Sequence, residues 1–350
     1  MVMVFDEAPL RTLYIGGTGT ISASCVRLSV EAGMEVTVLN RGRNGAKREL
    51  PGTVAQLVAD VNDPGSVKAV LDGLEFDSVV NFLSHDAEDA SRWVASLRGR
   101  TRQYVHISSA SVYGKPVQRT PTVESTVLHN RFSEYARAKL RAERALQLAF
   151  SEEGFPVTIV RPSHTYDDAH PPLPGDWTAV DRIARGAEIP VHGDGTSLWT
   201  LTHAEDFAQG LVGLLGNTAA TGEVFHITSD DVLTWDQIYT VVGEALGAEA
   251  KLVHLASELF PVVAPDWFWS ELIVGDLSHT AVFDNAKVRR FVPGFAPKLT
   301  FQRGAARLAR WRREHADLTR PDPVVDAVLD RLVGACHAAR ETCASWAPAR

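Results

Sequence analysis

The stretch 11–45, RTLYIGGTGTISASCVRLSVEAGMEVTVLNRGRNG, constrains the fold more than any other part of the chain. Leu13-Tyr14-Ile15 is a short apolar run closed by a glycine cluster, the pattern of a buried strand. Gly16-Gly17-Thr18-Gly19 breaks the run, residues 22–32 read as a helix, and Gly33 supplies its C-terminal stop. Residues 36–39 form a second apolar run, so strand, helix and strand succeed one another within about 30 residues. A glycine turn at this point lets backbone N–H groups approach an anion, and the helix N-terminus adds about half a positive charge. The unit reads as the pyrophosphate seat of a dinucleotide fold, with Gly16, Thr18 and Gly19 in the turn. Ser22 stands where a third glycine is usual; it is small enough to keep helix and strand in close packing.

The second strand ends in Asn40-Arg41-Gly42-Arg43. A site selective for NAD usually places a carboxylate there, for the ribose 2′-hydroxyl. Asn40 cannot repel a phosphate as a carboxylate would, and Arg41 and Arg43 are suited to pair with a 2′-phosphate. NADP is therefore expected ahead of NAD.

Further apolar runs at 54–58, 78–82, 103–108 and 157–160 alternate with helical stretches at 63–74, 86–97 and 132–150. In all, seven apolar strands interleave with helices, and a doubly wound parallel sheet of the Rossmann type is expected. Asp60 and Val61, at the end of the third strand, are placed to bracket an adenine. Beyond 166 the alternation fails. Residues 167–177 read as a loop, 177–187 as a helix, and 189–191 and 198–202 as strands around a Gly-Asp-Gly turn. Helices follow at 204–215 and 234–246, with a strand at 252–255. The expected division is a dinucleotide-binding domain from 1–165 with a return near 198–222. A smaller α/β substrate lobe comes from 166–197 and 223–316, and a last amphipathic helix lies within 317–350.

In a doubly wound sheet the chemistry sits at the carboxyl ends of the strands. Ser109 ends the fifth strand, and the helix after it carries Tyr135 and Lys139 at i and i+4, on one face. A tyrosine phenol with its ordinary pKa near 10 is a poor base at neutral pH. A neighbouring ammonium and a cationic nicotinamide favour the phenolate. Tyr135 is then fit to exchange a proton with a substrate hydroxyl while hydride moves, with Ser109 holding the same oxygen.

These pieces (GGTGTIS, SSASVYG, YARAK, RPSHTY, VHGDGTSLWTLTHAEDFA and FHITSDDVLTW) resemble the extended short-chain dehydrogenase/reductase family, in its sugar epimerase/dehydratase branch. The likeness runs from about 11 to 245. It implies a catalytic triad of Ser109, Tyr135 and Lys139, with Lys139 also on the nicotinamide ribose. It places Thr20 and Ile21 on the pyrophosphate, Phe82, Leu83 and Ser84 along the cofactor, and Pro162 and Ser163 beside the nicotinamide. His164 falls where many relatives carry a substrate-contacting Asn; His85, Ser111 and Trp199 are further candidate substrate contacts. Two long helices per subunit, 86–97 and 132–150, imply a twofold homodimer.

Two departures narrow the chemistry. The 4,6-dehydratases of this branch carry Asp-Glu after the catalytic hydroxyl, where this chain has Ala110-Ser111, so elimination by that route is not expected. Nucleotide-sugar enzymes usually carry an arginine for the diphosphate where this chain has Trp199. Losing a charge-assisted phosphate contact is not neutral. A sugar, nucleoside or cyclitol without a diphosphate is the expected substrate.

Several function classes are disfavoured. The net charge of −8 argues against a broad nucleic-acid surface. No run of 18 apolar residues is present, as a membrane helix would need. Cys25, Cys336 and Cys343 are scattered, which suggests a reducing, cytoplasmic setting. The spacings of His85, His164, His170, His192 and His203 match no metal motif, so none is expected. His203 reads as structural, the segment with Trp267 and Trp269 as lobe core or a lid, and the basic run 303–313 as a solvated helix face. The expected activity is NAD(P)-dependent epimerisation of a sugar-like secondary alcohol by transient oxidation and re-reduction. A net dehydrogenase or ketoreductase comes second. An atypical non-catalytic or RNA-binding member is the third class.

Overall fold

The computed structural model describes residues 8–42 and 48–346. In its first half, strands and helices alternate: β1 (Arg11–Ile15), α1 (Ser22–Glu31), β2 (Glu35–Asn40), β3 (Ala55–Val58), α2 (Pro64–Leu71), β4 (Phe76–Asn81), α3 (Ala87–Leu97), β5 (Thr101–Ile107), α4 (Glu134–Glu153) and β6 (Val157–Pro162). The second half is less regular: β7 (His164–Tyr166), α5 (Asp176–Ala184), β8 (Glu188–His192), β9 (Leu198–Trp199), β10 (Leu201–His203), α6 (Ala204–Leu214), β11 (Val224–Ile227), β12 (Leu233–Thr234), α7 (Trp235–Leu246) and β13 (Lys251–Leu255). Five helices close the chain: α8 (Phe260–Val263), α9 (Phe268–Leu272), α10 (Ala286–Phe291), α11 (Phe301–Glu314) and α12 (Pro323–Ser345).

The main sheet is parallel, in the order β11-β6-β5-β4-β1-β2-β3. Its inner strands read as apolar runs because both faces are covered, whereas the edge strand β3 is largely exposed. Leu13 and Ile15 pack with α2, α3 and α4 residues such as Val67, Trp93 and Leu146. Tyr14, between them, faces the opposite side with Val26 of α1 and Phe207 and Leu211 of α6. Helix starts follow the local chemistry: Asp63 accepts from Gly65 N–H ahead of Pro64, and Thr234 and Gln237 form a capping box.

The structure moves three boundaries. β11 was expected in the smaller lobe, but it pairs with β6 at the edge of the main sheet, His226 opposite Arg161. The expected strand 198–202 divides at buried Thr200. Its first part pairs with β12 and its second with β7, so the chain passes between sheets there. The C-terminal helix does not stand apart. Val328, Leu329, Leu332 and Cys336 of α12 are buried in the lobe core with Val180, Trp235, Ile238 and Phe260. The basic run is not simply solvated either: Arg307 pairs with Asp168 and Glu205, and Arg312 with Asp181. No helix among the described residues is long and apolar enough to cross a membrane. None of their His, Cys, Asp or Glu residues gather in threes around a possible metal position.

Candidate active site

The glycine turn after β1 is built for close approach. Gly16 has φ +84°, and a Cβ there would lie 2.7 Å from Leu83 Cγ. A Cβ on Gly17 would lie 2.7 Å from Val38 Cγ2, so this residue brings α1 down onto β2. Ser22 is buried and its Oγ accepts from Gly19 N–H at 2.8 Å, steadying the turn. Gly16, Gly19, Thr20 and Ile21 line a cavity of about 310 Å³ that continues past Phe82, Leu83 and His85 to Ser109, Tyr135 and Lys139. Two buried polar atoms lack a partner among the described residues: Ser84 Oγ, after β4, and Asn40 Nδ2, at the end of β2. Asn40 Oδ1 accepts from Gly42 N–H at 2.8 Å, which fixes the amide with its donor uncommitted. Such orphans are uncommon in a finished interior, and they fit a bound dinucleotide. Thr18, Asn40, Arg41, Asp60 and Val61 lie outside that cavity's lining. Asp60 is exposed and accepts from Asn62 N–H; Arg41 is also exposed, and Arg43 lies outside the described residues.

A second cavity, of about 350 Å³, opens on the other side. Ser109, Tyr135, Pro162, Ser163 and Thr165 line both, so the two spaces meet at the expected catalytic residues. Helix α4 sets this junction. Tyr135, Lys139 and Glu143 recur at i, i+4 and i+8 and face the end of β5. Buried Glu143 accepts from Ser108 Oγ at 2.5 Å and from Arg161 Nε and Nη2 at 2.9 and 2.6 Å. That buried ion pair holds α4, β5 and β6 in register, one residue from Ser109.

Lys139 is 2% exposed, and its Nζ donates to Ser84 O at 2.7 Å and Ile107 O at 3.0 Å. Burial lowers its pKa to about 8, partly offset by Asp89 and Glu143. The Nζ stands 5.9 Å from the centroid of the Tyr135 ring. Tyr135 keeps 45% of its surface exposed, yet it sits between the two cavities. Desolvation there raises its phenol above the ordinary tyrosine value, against an interaction with Ser109 that lowers it. Ser109 Oγ accepts from both Ser111 N–H (3.1 Å) and Ser111 Oγ (2.8 Å). With its lone pairs engaged, the Ser109 hydroxyl proton is directed outward as a donor.

The expected substrate contacts divide. Ser111, His164 and Trp199 line the second cavity; His85 lines the cofactor-side cavity instead, because it follows β4 on that side of Lys139. His164 packs among Trp199, Trp235 and Trp269, and burial lowers its pKa to about 4, so it is neutral at neutral pH. Trp199 is 2% exposed, its indole N–H fixed on Leu277 O at 2.8 Å. His203 is structural: it caps α6 and meets Asp168 at 3.1 Å. Sequence reading missed Phe268, Glu271, Asp276 and Phe283, which complete the second cavity. Asp276 lies in a single π-helical turn, Ile273–Leu277, a distortion that no 3.6-residue periodicity announces.

Arg48 was missed as well. Its guanidinium meets Thr20 Oγ1 at 3.3 Å and grips Asp167 through Nε (2.5 Å) and Nη2 (3.0 Å), spanning the nucleotide turn and the segment after β7. A cation fixed beside the pyrophosphate seat adds a charge-assisted contact, worth about 1.5–3 kcal/mol before competition from Asp167. Arg48→Ala is expected to weaken cofactor binding about tenfold by calorimetry, with the fold retained.

Comparison with known proteins identifies the family. Residues 13–228 match the family described as "NAD dependent epimerase/dehydratase family". The chain is 29% identical over 293 residues to a protein of Streptomyces kanamyceticus named 2′-dehydrokanamycin reductase, covering 83% of this chain and 81% of that one. It is 28% identical over 256 residues to the chloroplast stem-loop binding protein of 41 kDa b of Arabidopsis thaliana, covering 70% of this chain and 65% of the relative. The solved structure of epimerase Mth375 from Methanothermobacter thermautotrophicus superposes with a TM-score of 0.73 at 19% identity, over 89% of this chain and 94% of that one. The chain belongs to the NAD dependent epimerase/dehydratase family of enzymes, in the extended short-chain dehydrogenase/reductase class.

Proposed function

We propose that the protein interconverts a secondary alcohol and a ketone on a sugar-like ring, with NADP(H) ahead of NAD(H) as the nicotinamide cofactor. The observation that supports this reading is the meeting of two cavities at Ser109 and Tyr135, with Lys139 lining the cofactor side. A bound nicotinamide would supply or accept the hydride. In the reducing direction Tyr135 gives its phenolic proton to the carbonyl oxygen, and the Lys139 ammonium stabilises the phenolate left behind. Ser109 donates to the same oxygen, oriented by the two donors of Ser111. In the oxidising direction each transfer reverses.

Net reduction is favoured over epimerisation by the strand end at Asn40, where no carboxylate opposes a 2′-phosphate and an amide donor is free. The name of the Streptomyces relative points the same way. Epimerisation is the second reading, supported by a cavity of about 350 Å³, in which a single ring has room to present its other face. One experiment separates them. With substrate deuterated at the reacting carbon, net redox moves the label to the cofactor and produces NADPH stoichiometrically. Epimerisation returns the label to the product without net cofactor change. Loss of the label to solvent would refute both.

A stem-loop-binding role, suggested by the name of the Arabidopsis relative, is set aside: Tyr135 and Lys139 are in place and the net charge is −8. The assembly proposed is a twofold dimer through α3 and α4, which pack together on one flank and leave Leu148 55% exposed. Light scattering at micromolar concentration should give twice the monomer mass.

A further inference from the structure

The second cavity is unusual in its charge. Glu271 and Asp276 both line it, and no Lys or Arg does so among the described residues. Asp276 is partly answered by Lys115, a buried side chain 3.0 Å away. Glu271, an exposed residue, has no such partner among the described residues. Its Oε1 accepts from Glu134 N–H at 2.8 Å, at the start of α4 and one residue from Tyr135. The same cavity is lined by the aromatic side chains of Phe283, Trp199 and Phe268, the last 74% exposed. A diphosphate entering this space would meet carboxylates with no cation to receive it. Charge of that sign repels a phosphate and attracts a cation, and aromatic faces attract an ammonium as well.

We infer that the substrate is an amino-sugar or aminocyclitol whose protonated amine is received by Glu271 between the aromatic walls, while its reacting hydroxyl or carbonyl lies at Tyr135 and Ser109. This rests on the oxidoreductase reading above and narrows it to amine-bearing rings. Glu271 is accordingly a specificity residue. Asp276 is a poorer choice for mutation, because removing it leaves the buried Lys115 ammonium unpaired.

The test compares two molecules of the same skeleton, the glucosamine disaccharide and its N,N′-diacetyl form, by calorimetry on the full chain loaded with NADP at mildly acidic pH. The amine form should bind at least tenfold tighter. Glu271→Gln, which keeps an acceptor for Glu134 N–H, should shrink that preference to about threefold or less, and 0.5 M salt should shrink it likewise. Equal binding of the two forms, tighter binding of the diacetyl form, no binding of either, or an unchanged preference in Glu271→Gln would overturn the inference. The same titration reads NADP binding first. Failure to bind NADP and NAD alike would strike the oxidoreductase reading itself, whereas normal cofactor binding without amine preference would strike only the substrate class.

Discussion

Tyr135→Phe is expected to lower kcat by about 10²–10⁴-fold, the range that general acid–base catalysis contributes. The substitution keeps the ring, and with it the packing beside Lys139, whose Nζ lies 5.9 Å from the ring centroid. It removes only the proton that must pass to or from the substrate oxygen. The carbonyl would then have to be reduced with its oxygen held by Ser109 alone. Because the phenol of the free protein is raised by desolvation, its proton is firmly held at neutral pH, which suits a donor in the reducing direction. The affinity for NADP should change by less than about threefold, since the nucleotide turn and Lys139 are untouched. Single-turnover kinetics with NADPH, alongside a cofactor titration, checks both halves. Full activity in the variant would remove Tyr135 from the mechanism and reopen the non-catalytic class.

The parallel sheet was legible because its inner strands are buried on both faces and so appear as apolar runs, with helices following β1, β3 and β4. Ser109, Tyr135 and Lys139 were legible for a related reason. A strand end and an i, i+4 pair on the next helix are local patterns, and the parallel topology brings them together. The opposite wall of the substrate cavity offered no such route. Phe268 and Glu271 sit on a five-residue helix, and Asp276 on a π-helical turn, too short or irregular for periodicity to show. Their approach to Ser109 depends on Asn130, which donates to both Ser111 O and Gly275 O at 2.8 Å and ties segments far apart in sequence. Arg48 was hidden differently. It is one arginine in an irregular stretch, and only its grip on Asp167 and contact with Thr20 show where it acts. β11 was assigned to the wrong lobe because a four-residue apolar strand carries no mark of the sheet it joins.

Lys139 should give cofactor binding a pH dependence near its own shifted pKa. As an ammonium it has three N–H donors, two of them committed to Ser84 O and Ile107 O. The third is free for a ribose hydroxyl. The neutral amine has only two N–H bonds, both already used, so deprotonation removes the donor the cofactor needs. Burial has lowered the pKa from 10.5 to about 8, so the charged form is complete below that value and lost above it. The sign for stability is opposite. Between about 8 and 10.5 the unfolded chain holds a proton that the folded chain has released, so the free protein gains stability as pH rises through that window. NADP affinity should therefore be flat near pH 7 and fall by about tenfold towards pH 9.5, the scale of one hydrogen bond to a charged group. Lys139→Met should bind about tenfold more weakly at pH 7 and show no break near 8. It should also lose at least 10²-fold in kcat, because the phenolate of Tyr135 forfeits its electrostatic partner. Calorimetric titrations of both proteins across this range provide the measurement. A break near pH 8 that persists in Lys139→Met would assign the titration to another group and leave Lys139 without its ribose role.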